Sequence, residues 1–189
     1  MHAPAPFTRL PALRKAARKL TPLFAAVMAL TGCSAGTINY VHIDSSYTPE
    51  VYAHLPYTGP LFADVSGNPF GIPQADLQRL VNDAIQPPGA KAENGQGARV
   101  HIAFGVTAAD RHSACSATGT NVISSTVSLV AAFCRGGDGA LTYLVGSVDD
   151  LKGPSDPRFE SFLRQITVQL FPKVDPNRDH EPPCVFPSC

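Results

Sequence analysis

Asp110-x-His112-x-x-Cys115 is where residue types for nucleophilic catalysis stand closest together in this 189-residue chain. Cysteine attacks as its thiolate, so it needs a base such as His112, which an acid such as Asp110 can orient. Cys115 also has a candidate disulfide partner in Cys134, and a bridged cysteine is no nucleophile. Catalytic groups are usually joined by the fold from separate stretches, so a thiol enzyme stands as the alternative expectation only. Zinc is a second possible chemistry, with His112, Cys115 and Cys134 as ligands and His101 or Asp110 as the fourth. The paired short spacings of zinc sites are absent, however. Asp149-Asp150, with Asp156 nearby, lacks the Asp-x-Asp-x-Asp-Gly pattern of a calcium loop and fits helix entry and solubility better. Gly136-Gly137-Asp138-Gly139 reads as a hairpin turn, because a strand follows it instead of the helix that a phosphate loop requires. Ser124, Ser125 and Ser128 have no glycine elbow around them. His42, His54 and His180 stand alone. No catalytic residue, metal or cofactor is expected.

The clearest chemistry belongs to Cys33. Leu30-Thr31-Gly32-Cys33 follows the apolar run Leu23 to Leu30, and that run follows Arg9, Arg14, Lys15, Arg18 and Lys19 with no acid among them. A basic head, a short apolar core and small residues before a cut make a secretory signal. The apolar run is too short for the roughly 20 residues that span a bilayer. The cysteine after Leu-Thr-Gly is the mark of a lipobox, in which the thiol accepts a diacylglycerol and becomes the new N-terminus. One acyl chain binds a membrane marginally, while two or more anchor a domain stably. Ser34, where an Asp would suggest retention in the inner membrane, leans towards the outer membrane.

Removal of 1–32 leaves 157 residues, enough for one modest core. Five of the 15 Lys+Arg leave with the signal, so the remainder carries ten against 15 Asp+Glu and is mildly acidic. No basic run remains, which argues against nucleic acid or anionic lipid headgroups as partners. Besides Cys33 there are Cys115, Cys134, Cys184 and Cys189, an even number that in an exported chain implies disulfides. Of the three connectivities, Cys115–Cys134 and Cys184–Cys189 are favoured.

The elements that would carry these residues follow from pattern. Residues 33–60 show no helical period, and Pro49, Pro56 and Pro60 mark a flexible tether that lifts the domain off the membrane. Tyr40, Tyr47, Tyr52 and Tyr57 within it are expected to pack onto the domain. Leu61 to Val65 reads as a strand, and Gly67-Asn68-Pro69-Phe70-Gly71 as a turn. Leu77, Leu80, Val81, Ala84 and Ile85 form one helical stripe over about 74–86. Val100, Ile102, Phe104 and Val106 alternate as a strand. A long loop follows over 108–119. Val122 to Cys134 reads as the next strand, and Leu141 to Val148 returns after a hairpin. Asp156 and Pro157 open a last helix with Phe159, Phe162, Leu163, Ile166 and Leu170 buried, ended by Pro172. The expectation is an α+β two-layer sandwich: a mainly antiparallel sheet of about four strands, with two helices on one face, over residues 61–173. A Pro-rich, cysteine-containing tail covers 174–189.

Three local patterns, Val65-Ser66-Gly67-Asn68-Pro69-Phe70, Cys115 with Phe133-Cys134-Arg135, and Leu170-Phe171-Pro172, make the chain resemble a family of uncharacterised proteobacterial lipoproteins. That resemblance covers about 61–173 and implies an α+β envelope lipoprotein without a known activity. The layout is also similar to small lipoproteins that assist envelope transport machines, a likeness of fold alone. The expected protein is lipid-anchored through Cys33 and periplasm-facing, a non-catalytic binding or assembly module with an envelope protein as partner.

Overall fold

The computed structural model describes residues 35–90, 97–135 and 139–174. The segment expected as a signal (1–32), Cys33, and Cys184 with Cys189 lie outside the described residues. The fold is α+β, as expected. Its sheet has five strands: β1 Thr37–Ile43, β2 Leu61–Ser66, β3 Ala98–Phe104, β4 Val127–Cys134 and β5 Ala140–Val148. They stand in the order β1-β5-β4-β3-β2. Three neighbouring pairs are antiparallel and β2–β3 is parallel, so the sheet is mixed. The parallel pair arises because helix α3, Gln74–Ile85, lies between β2 and β3 and returns the chain to its starting end.

The fifth strand, β1, falls where a flexible tether was expected. It pairs with β5 from Thr37 opposite Ser147 to Ile43 opposite Thr142, with an irregularity between Ile38 and Tyr40. After it come two single-turn helices, α1 Pro49–Tyr52 and α2 Leu55–Thr58. Tyr47 is fully buried, and its hydroxyl donates to the Pro172 carbonyl 3.1 Å away. Tyr52 stacks edge-on against Phe133 with ring centres 5.2 Å apart. Those two tyrosines pack onto the domain, whereas Tyr40 and Tyr57 stay about half exposed.

Both long helices cover one face. Leu77, Val81, Ala84 and Ile85 of α3 and Phe159, Phe162, Leu163, Ile166 and Leu170 of α4, Pro157–Leu170, meet Val100, Ile102, Phe104, Leu129, Ala131 and Leu144. Asp156 caps α4 by accepting from the Arg158 amide at 3.0 Å, and Pro157 fills the first turn. The Arg158 guanidinium and amide hold the Asp156 carboxyl well below the usual carboxylate range.

The opposite face carries Val130, Ala132, Ala140, Tyr143 and Val145, roofed by the segment around Ala114. Strands β4 and β5 are therefore buried on both sides. The strand expected from Val122 starts only at Val127. Val127 lies opposite Val148, the last residue of β5, so nothing extends the ladder to residues 122–126.

At the β2 edge, α3 does what a further strand would do. The amides of Leu61, Ala63 and Val65 donate to the side chains of Gln86, Asn82 and Gln78, at 3.1, 2.8 and 3.2 Å. The carbonyls of the same three residues accept from Gln86, Gln78 and Gln74. Four residues at four-residue intervals form one row along the helix and satisfy the outward backbone of the strand.

Candidate functional site

The long connection from β3 to β4 is held onto the sheet by covalent and polar ties. Cys115 and Cys134 form a disulfide, with Cα atoms 5.9 Å apart. His101 Nε2 lies 2.8 Å from the Ala117 carbonyl, and Ser66 Oγ donates to that same oxygen at 3.1 Å. Thr120 donates its amide to the Phe104 carbonyl, and its own carbonyl accepts from the Asn68 amide. Gly67 is pinched at this junction: it has φ +77°, and a Cβ there would sit 2.6 Å from the Phe104 carbonyl oxygen and 2.8 Å from the Thr120 nitrogen. The Gly-Asn-Pro-Phe turn is thus a structural joint, in which Asn68 Oδ1 accepts from the amides of Phe70 and Gly71.

Asp110, His112 and Cys115 sit on this connection, but not as a catalytic relay. Asp110 Oδ1 accepts from the amides of His112 (2.9 Å) and Ser113 (2.8 Å) and from Ser113 Oγ (2.9 Å). The carboxylate braces its own turn. Those hydrogen bonds, the Ser113 amide first, hold its pKa below the ordinary carboxylate value. His112 is exposed, and the Cys115 sulfur is bonded to Cys134. His101 points to Ala117, with Nδ1 3.8 Å from Asp64 Oδ2. Among the described residues, no three His, Cys, Asp or Glu side chains converge as a metal set.

Asp149 and Asp150 are likewise engaged. Asp149 Oδ1 accepts from Thr126 Oγ1 at 2.8 Å, and the guanidinium of Arg158 binds the carbonyls of both acids. An open groove of about 690 Å³ runs between α3 and α4, beside Ile72 and Leu80. Three of its four acids are already paired: Asp76 with Arg79, Asp156 with Arg158, and Glu160 with Arg164.

Two surface features were not read from sequence. The first joins β1 to the long connection. Tyr40 and His42 lie 5.5 and 5.2 Å, centre to centre, from the ring of Tyr143 on β5. Next to them the buried carboxylate of Asp44 lies 2.9 Å from Arg111 Nε. The Ser46 hydroxyl, then its amide and Arg111, pull the Asp44 pKa down against the opposing effect of burial. Burial pushes the Tyr143 phenol up to about 12. This patch holds no nucleophile and base in contact; it offers the exposed ring of Tyr40, the half-buried ring of His42 and an arginine already paired with Asp44. Its signal was hidden because Tyr40 and His42 mean little until β1 sets them beside β5.

The second feature is Val122 and Ile123, which are 60% and 75% exposed, the most exposed large apolar side chains among the described residues. The β-branched run from Val122 predicts a strand there, but β4 begins only at Val127 and leaves both side chains exposed. No family model, curated protein or solved structure matches the chain.

Proposed function

We propose that this chain is a bacterial lipoprotein: Cys33 is acylated, and the folded body is a periplasm-facing binding or assembly module without catalysis of its own. The observation that carries this reading is Leu30-Thr31-Gly32-Cys33 behind a basic, apolar leader. A stapled domain whose candidate nucleophile is spent in a disulfide is consistent with it. In this reading the chain belongs with the proteobacterial lipoproteins it resembles, its partner is another envelope protein, and Ser34 directs it to the outer membrane. The exposed ring of Tyr40 and the half-buried ring of His42, backed by the buried Tyr143 and standing beside Arg111, form the face best equipped to receive that partner, since tyrosines and arginines contribute most to protein interfaces.

The test is the intact mass of protein extracted from membranes, with free thiols alkylated before any reduction. A lipid adduct on Cys33 and no alkylation at Cys115 are expected, and Cys33→Ala should leave an unlipidated precursor. Membrane-bound, fully matured Cys33→Ala protein would refute the anchor. An alkylated Cys115 would instead favour the thiol or metal reading at Asp110, His112 and Cys115.

A further inference from the structure

We infer that the exposed pair Val122–Ile123 is a second membrane contact, which dips into the bilayer to which Cys33 is tied and sets the domain upright on it. This deepens the anchored reading and rests on it.

Chain length comes first. Ala35 already packs against the core, and at Gly36 an added Cβ would stand 2.5 Å from the Phe162 ring and 2.7 Å from the Ser147 carbonyl. The body is thus engaged from Ala35 onwards, and Ser34 alone separates it from Cys33. Two residue steps reach at most about 7 Å. An acylated Cys33 therefore holds the end of the sheet where β1 begins close to the lipid.

Strand register then shows what else lies at that end. Thr37 is opposite Ser147, and Val127 is opposite Val148, so β1 begins where β5 ends and β4 begins. The segment 119–126 is fixed at this same end: Gly119 donates to Ser66 Oγ, Ser124 to the Pro69 carbonyl, and Ser125 accepts from Leu151. In the sheet β4 is two strands from β1, about 10 Å at the usual strand spacing. The most exposed apolar side chains among the described residues thus share an end with the anchor.

Composition fits a lipid surface. Gly119-Thr120-Asn121-Val122-Ile123-Ser124-Ser125-Thr126 has no charged residue, so two aliphatic side chains project from hydroxyls and amides that suit the headgroup layer. Asp149 and Asp150 are exposed nearby, which limits the depth and favours zwitterionic over anionic lipid.

The chain has no tryptophan, so one can be placed as a probe. Ile123→Trp and, at the opposite end before β2, Tyr57→Trp would be made in the full chain, lipidated in a bacterial host and reconstituted into phosphatidylcholine vesicles with and without brominated acyl chains. Lipidation is verified by mass in the same samples. The expected result is a blue shift and loss of intensity with brominated lipid for Trp at 123, and neither at 57. Emission at 123 that stays water-like in verified lipoprotein would overturn the inserted loop and leave the anchor standing, as would equal quenching at both positions. An unlipidated Cys33 would sink both.

Discussion

At the residue scale, the fate of Cys115 decides between a stapled module and a reactive thiol. Its pairing with Cys134 was legible, because the four cysteines besides Cys33 are an even number, which implies disulfides if the chain is exported. What spacing could not show is the role of Asp110, whose carboxylate accepts three hydrogen bonds from its own turn and none from the His112 ring. Residues close in sequence were brace and staple. The bridge spans 19 positions, so by the chain-entropy account its loss costs about 3 kcal/mol. Replacing both cysteines by alanine should therefore lower the unfolding free energy in urea by about that amount and steepen the slope, because the unbridged chain exposes more surface when unfolded. A double variant as stable as the parent would mean that the polar ties at Ala117 and Thr120 already hold the connection unaided.

At the element scale, α3 has two working rows, of which only one was visible beforehand. Apolar stripes are legible because burial selects them; the polar row Gln74, Gln78, Asn82 and Gln86 carries no such signal. Their use depends on the edge of β2 lying alongside, a fact of topology. Gln78 serves two backbone groups, accepting from the Val65 amide and donating to the Ala63 carbonyl. Gln78→Leu keeps the volume and leaves both unmatched, at about 1–3 kcal/mol for partly buried groups. Arg79→Ala, one residue on and exposed, should stay within about 0.5 kcal/mol. Urea unfolding of the two variants separates the ladder from simple helix propensity. Replacing all four amide residues by alanine should also open the edge and produce concentration-dependent association in size-exclusion chromatography.

At the scale of the whole molecule, the helix-covered core was legible and the domain boundary was not. Alternation and helical stripes placed β2, β3, β5 and both long helices, since each buries a whole face. β1 has one paired side, half-exposed faces and an irregular step at Ile38–Tyr40, so it lacks the period that a strand normally prints. Prolines misled in the same stretch: Pro49 and Pro56 sit in the first turns of α1 and α2, where a missing amide proton costs nothing. The consequence is testable with two chains carrying no lipid. One starting at Ser34 should unfold in a single cooperative urea transition. One starting at Pro60 loses Tyr47 and Tyr52 from the core, uncovers Phe133 and Phe171, and bares the β5 edge. It should aggregate or unfold at much lower urea. Equal midpoints would restore 35–59 to the role of a tether and, by freeing the domain from Cys33, would also remove the geometric reason for Val122 and Ile123 to reach the bilayer.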